Sequence, residues 1–207
     1  MKLVDVHTKL LEMNVPVFQT SDAAACLNID SAHASKLLSR LSLSGHLVHL
    51  RHGLWAFKDK VETLALPVYL TDPFPSYVSL QSALYYHDMI SQIPTVTYAV
   101  SIDRTKIHNT PLGVVSVHHV HPSFFFGFET IGKSMAKMAT PEKALIDFLY
   151  LSPAKSNLFR ALPELELPKG FSTKRAHKIF SQIRSARRKN LVRRLFEETL
   201  QMSSVKV

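Results

Sequence analysis

HLVHLRHGLWAF, running from His46 to Phe57, is the stretch on which the fold turns. Leu47, Val48, Leu50, Leu54, Trp55, Ala56 and Phe57 are apolar and β-prone, and His52-Gly53 is a pair able to turn tightly with positive φ. The pattern predicts a two-stranded hairpin with Arg51, His52 and Gly53 at its tip. Such a ribbon is marginal in water on its own. It must lean on something, and the residues just upstream supply it.

Leu3, Val6, Leu10 and Met13 recur at spacings of three and four, predicting a first helix that stops before Pro16. Thr20-Ser21-Asp22 caps a short second helix through Leu27, and Asn28-Ile29-Asp30 forms the turn. Asp30 or Ser31 caps a third helix, buried through Ala34, Leu37, Leu38 and Leu41 and stopped by Ser44-Gly45. Its opposite side presents Ala32, Ser35, Lys36, Ser39, Arg40 and Leu43, flanked by Ser31 and His33. Small and hydroxyl side chains can approach base edges in a major groove, and Lys36 and Arg40 can reach a base or a phosphate. Three helices followed by a basic-tipped ribbon predict a winged helix-turn-helix domain over residues 1–60. Its arms then pack through Leu47 or Val48 and Trp55 or Phe57, and His49, Arg51, His52 and Gly53 join the third helix as candidate DNA contacts. Arg51 suits a phosphate or a narrow minor groove, and Gly53 lets the backbone turn and approach closely.

From Val61 onward the pattern changes, with Pro67, Pro73 and Pro75 as punctuation, and residues 61–207 are expected to form a mixed α/β domain with a small sheet. The overall class predicted is α+β. Ser79–His87 reads as a short helix; Thr95–Asp103, Val114–Pro122 and Phe124–Ile131 read as strands. Ala139–Leu151 reads as a surface helix capped by Thr140, with Pro141 in the first helical position and Ala144, Leu145, Phe148 and Leu149 as its buried face. Capping of a surface helix accounts for Glu142, Lys143 and Asp147 without catalysis. Basic helices follow over 172–201, with Ala176, Ile179, Phe180, Ile183, Leu191, Leu195, Phe196 and Leu200 inward.

Charge is unevenly placed. Residues 1–60 hold seven Lys/Arg against five Asp/Glu, residues 61–168 seven against nine, and residues 169–207 eleven against two. The whole excess of +9 therefore lies in the last segment, where Lys174, Arg175, Lys178, Arg184, Arg187, Arg188, Lys189, Arg193 and Arg194 form a candidate second surface for a polyanion. The single Cys26 excludes an intramolecular disulfide and reads as a small buried hydrophobe in a reduced, cytoplasmic compartment. Asp5, Lys9 and Glu12 interrupt any signal-peptide core, and no stretch reaches membrane-spanning length. No nucleotide-binding glycine loop, serine-hydrolase elbow, zinc protease motif or paired cysteines occur, so neither an enzyme nor a cofactor or metal site is expected. His118, His119 and His121 form the one histidine cluster; on a strand, His119 and His121 share a face.

YVSLQSALYYHDMI (Tyr77–Ile90), the strand TVTYAVSID and MATPEKALIDFLYL (Met138–Leu151), behind the N-terminal helices, resemble the AbiEi family of antitoxins over nearly the whole chain. The family pattern Tyr-Ile-Ser-x-x-Ser-Ala-Leu is met by Tyr77, Val78, Ser79, Ser82, Ala83 and Leu84, while Asp88 stands where a glycine usually follows. The resemblance implies a transcriptional autorepressor that binds inverted repeats of duplex DNA in its own promoter, with self-association on that DNA compatible with such repeats. It also implies an antitoxin of a type IV system, countering a nucleotidyltransferase-like toxin without a stable complex. The alternatives are a winged-helix regulator with no antitoxin role, a protein-binding winged helix, and a nucleic-acid-modifying enzyme.

Overall fold

The computed structural model describes residues 2–132, 135–152 and 165–204, the side chains of 203 and 204 excepted. It is a mixed α+β structure with two sheets. The first sixty residues form α1 (Leu3–Glu12), β1 (Val17–Gln19), α2 (Thr20–Leu27), α3 (Ser31–Leu43), β2 (Val48–Arg51) and β3 (Leu54–Ala56). Val6 and Leu10 of α1 are fully buried against Ala23, Leu27, Leu37, Leu38 and Leu41. Asp22 accepts the Gln19 N–H at 2.7 Å, and Asp30 accepts the His33 N–H at 2.8 Å, so α2 and α3 begin with satisfied orphan donors. The His33 N–H, bonded to the charged form, holds the Asp30 carboxyl below its ordinary value. Asn28 takes the left-handed conformation at φ 53° and breaks the chain between the two helices.

The hairpin is present and gains a third strand. β1 pairs antiparallel with β3, Phe18 opposite Trp55, giving the order β1-β3-β2. Three residues after Pro16 are too few for alternation to reveal a strand; only the pairing does. Leu47, Trp55 and Phe57 face the helices, and the Trp55 Nε1–H donates to Thr20 Oγ1 at 2.9 Å. The other face also is covered: Val48, Leu50, Leu54 and Ala56 pack on Leu66, Leu70, Val115 and Val117. Burial on both faces explains the continuous apolar run of Leu54, Trp55, Ala56 and Phe57, and carries the packing across the change of pattern at residue 60.

Beyond it come α4 (Leu66–Thr71), β4 (Ser76–Val78), α5 (Leu80–Tyr86), β5 (Val96–Ser101), β6 (Lys106–Thr110), β7 (Gly113–His119), β8 (Phe128–Thr130), β9 (Lys137–Ala139), α6 (Pro141–Leu151), α7 (Thr173–Ser181) and α8 (Ala186–Ser204). The six-stranded sheet has the order β6-β7-β5-β4-β9-β8, with β5–β7 and β4–β9 parallel and the remaining neighbours antiparallel. Three sequence expectations change here. The strand expected over Val114–Pro122 ends at His119, because His121 turns to cap a 3-10 turn and accepts the Ser123 N–H at 3.2 Å. Phe124–Gly127 is not strand, and β8 begins only at Phe128. Cys26 is half-buried rather than buried.

Asp88 sits at φ 55° in a helix-ending turn: Met89 N–H bonds Leu84 O at 2.8 Å and Asp88 N–H bonds Tyr85 O at 3.0 Å. This 6→1 and 5→2 pair makes a position suited to glycine, which Asp fills at a cost in backbone strain.

The larger correction concerns α6, which is not a surface helix. Glu142, Lys143 and Asp147 are buried along with Ala144, Leu145, Ile146, Phe148 and Leu149, because β4, α5, α7, α8 and the Phe124–Phe128 segment surround the helix. Capping by Thr140, which accepts the Lys143 N–H at 3.3 Å, holds as expected. The charges are matched internally. Asp147 Oδ2 accepts from Tyr77 OH at 2.9 Å and Ser79 Oγ at 2.8 Å, while Lys143 Nζ donates to Tyr77 OH at 2.9 Å and pairs with Asp147 Oδ1. The Lys143 ammonium lies 4.0 Å from the Phe124 ring centre. Glu142 accepts the Ser172 N–H at 2.8 Å and pairs with Arg175 at 3.0 Å. Burial lowers Lys143 from its ordinary value against the opposing pull of Asp147, and burial together with Asp147 pushes Tyr77 well up.

Candidate nucleic-acid interface

A cleft of about 730 Å³ opens between α3 and the hairpin, lined by Thr20, Ser31, Ala32, Ser35, Ser39, Ser42, Leu43, His49, His52, Gly53 and Trp55. One wall is a helical stripe: Ser31, Ser35, Ser39 and Ser42 recur every three or four residues, which puts them on one side of α3. The Ser39 hydroxyl donates back to Ser35 O at 2.8 Å, so its lone pairs remain to accept from outside. Lys36 and Arg40 follow Ser35 and Ser39 by one residue, about 100° round the helix, and stand exposed on the shoulder of the cleft. Leu43 closes the far end and is 90 % exposed. His33 is exposed at the first turn.

The opposite wall is the hairpin. His49 lies across from Trp55, with the ring centres 4.5 Å apart, and both look into the cleft. His52 is exposed at the turn, and Gly53 reaches φ 72° with open space beside it. The Gly53 carbonyl accepts the Thr20 N–H at 2.8 Å, tying the turn to the start of α2. Thr20 and Trp55 thus belong to the site though neither was expected there. No local pattern marks them; their place follows from β1 aligning against β3.

Arg51 behaves differently from its neighbours. It pairs across the hairpin with Leu54, on the face that packs against the six-stranded sheet, and it is half-buried rather than extended from an open tip. A bulge between His49 and Arg51 makes the change of side possible.

The basic C-terminal helices divide into two groups. Arg175 is held by Glu142 and by Gly170 O at 2.6 Å; Arg188 donates to Tyr150 O at 3.0 Å and lies 5.2 Å from the Tyr150 ring centre; Arg194 pairs with Glu198 at 3.6 Å. These three fasten the helices or neutralise a neighbour. Lys174, Lys178, Arg184, Arg187 and Arg193 are exposed, and Lys189 is half-buried. Val192, unremarked in the sequence, is fully buried beside Phe196.

His118, His119 and His121 do not converge. His118 is buried beside Ser116, at 3.1 Å; His119 Nδ1 meets Asp103 O at 2.9 Å; His121 caps its own turn. Burial lowers His118 from its ordinary value. Among the described residues no three His, Cys, Asp or Glu side chains gather as cation ligands. Among them also, no helix is long and apolar enough to cross a membrane.

In comparison with known proteins, no family model matches the chain and no curated protein matches it.

Proposed function

We propose that the chain is a transcriptional regulator whose N-terminal unit is a winged helix-turn-helix that binds duplex DNA, with α3 as the reading helix and the β2–β3 hairpin as the wing. The observation that carries this reading is the cleft between α3 and the hairpin, walled by serines and alanine on one side and by His49 and His52 on the other, with Lys36 and Arg40 on its shoulder. Small hydroxyl side chains offer both donors and acceptors to base edges at close approach, and the two cations reach bases or phosphates. Helix order and the three-stranded sheet with α3 immediately before the hairpin agree with that docking geometry.

The second half of the proposal is an antitoxin role of the AbiEi type, exerted on a nucleotidyltransferase-like toxin without a stable complex, alongside autorepression at inverted repeats. Its support is that the two segments carrying the resemblance, 77–90 and 138–151, meet in one buried network of Tyr77, Ser79, Lys143 and Asp147, so the shared residues are those that build the C-terminal core. Nothing in this reading requires catalysis or a cofactor.

The test is fluorescence anisotropy on a labelled duplex of the chain's own promoter at fixed salt. Lys36→Ala and Arg40→Ala should each cost about 1–3 kcal/mol with relaxed sequence preference where the residue reads a base. Unchanged affinity in the double variant refutes the assignment of α3. For the antitoxin half, the neighbouring gene is co-expressed with this chain; growth arrest that this chain fails to relieve refutes it.

A further inference from the structure

Beside the hairpin the six-stranded sheet ends in β6, and the pairing register states which way its side chains stand. Lys106 lies opposite Val117 and His108 opposite Val115. Directly paired residues share a face of a sheet. Val115 and Val117 are the residues on which Leu50, Leu54 and Ala56 of the hairpin pack, so Lys106 and His108 stand on that same hairpin-facing side. Arg51, opposite Leu54, comes to meet them. The Arg51 Nε is buried with no hydrogen-bond partner. Three nitrogen-bearing side chains from two sheets, distant in sequence, therefore gather at one seam.

We propose that this seam of Arg51, Lys106 and His108 is a phosphate-binding track that continues the DNA interface from the hairpin onto the C-terminal sheet. The inference rests on the DNA-binding reading above and extends its footprint to residues outside the N-terminal unit. The charges at the seam support it. His108 is lowered from its ordinary value first by burial, then by Lys106 and Arg51, with Asp103 as the opposing carboxylate. Lys106 and Arg51 crowd the His108 imidazole with positive charge, and a phosphate oxygen at the seam relieves that repulsion. Lys106 is exposed, so it is accessible to a phosphate without burial of its own charge. The occupant is a backbone phosphate, because the groups offer positive charge and hydrogen-bond donors, the complement of phosphate oxygens.

The experiment measures affinity of the full chain for the promoter duplex and for an unrelated duplex across a potassium chloride series. Lys106→Gln, His108→Gln and their double variant are compared with Lys36→Ala/Arg40→Ala and with Arg187→Gln/Arg193→Gln on α8. Removing one cation that pairs with a phosphate should lower the log–log salt slope by about 0.9. Lys106→Gln and the double variant should do so equally on both duplexes, leaving the ratio of specific to non-specific affinity as in the parent, while His108→Gln alone, which replaces an imidazole whose surroundings disfavour its charged form, should change the slope less. Lys106→Gln alters an exposed side chain, so it keeps the test valid if His108→Gln lowers the melting temperature. A parent-like slope in Lys106→Gln and in the double variant overturns the seam while the α3 variants still test the DNA reading. Failure of the parent itself to bind either duplex overturns both.

Discussion

Asp147→Ala is the sharpest test of how the C-terminal core is held. The substitution removes the only carboxylate paired with Lys143 among the described residues, and both side chains are 0 % exposed. It also removes the acceptor of the Tyr77 and Ser79 hydroxyls. Stranding a buried charge in this way costs about 3–5 kcal/mol. The rings of Phe124, Phe126 and Tyr77, whose centres lie 4.0, 5.3 and 5.4 Å from the ammonium, offset part of that, by at most about 2 kcal/mol for a desolvated cation–π contact. The unsatisfied hydroxyls add about 1–3 kcal/mol each in the other direction, so the lower bound stands near 3. Against a total of about 5–15 kcal/mol, the variant should lose a large fraction of its stability. Urea unfolding followed by circular dichroism should show a lower midpoint with an unchanged slope. Lys143→Met/Asp147→Leu, which deletes both charges, should return to within about 1 kcal/mol of the parent or exceed it. The sign of the pH response is also set. With Lys143 lowered in the folded chain, the unfolded chain binds more protons between that lowered value and about 10.4, so stability rises with pH there. Losing Asp147 lowers Lys143 further, and the deficit should be smaller at pH 9 than at pH 7. A single variant within about 1 kcal/mol of the parent at pH 7 refutes the claim that this pair is a matched buried charge.

Truncating Trp55 to Ala should cost about 3–5 kcal/mol, since its ring is 5 % exposed between α2 and the hairpin and its N–H is bonded to Thr20; a parent-like melting temperature contradicts this. Thr140→Ala should cost only about 1 kcal/mol, the worth of one cap, read as a small shift of the same transition. His118 is lowered by burial, so the folded chain binds fewer protons than the unfolded one below about pH 6.5. Its share of stability is present above that pH and is lost as pH falls through the lowered value, and His118→Gln should flatten the acid limb of a stability–pH curve.

Local sequence was enough for whatever depends on spacing within one element. The apolar stripe of α1, a cap for α3 at Asp30 or Ser31, the hairpin with Gly53 in its turn, the Thr140–Pro141 start of α6 and the exposed side of α3 all follow from periods of two or 3.6 and from cap and turn chemistry, each satisfied within a few residues; the structure chooses Asp30 as that cap. What lay beyond it depends on partners far along the chain. β1 and β9, of three residues each, exist as strands because β3, β4 and β8 bond to them. The side of the hairpin to which Arg51 belongs was decided by a bulge and by the sheet behind it, which no alternation in residues 46–57 reports. Glu142, Lys143 and Asp147 look from sequence like the polar face of a surface helix, since a charge names its need for a counter-charge but not the place where it finds one. Tyr77 and Ser79, nearly seventy residues upstream, and Arg175, some thirty downstream, satisfy that need, and only tertiary packing brings them there. Lys106 and His108 met Arg51 for the same reason: register across β6 and β7, a property of paired backbones, chose their face.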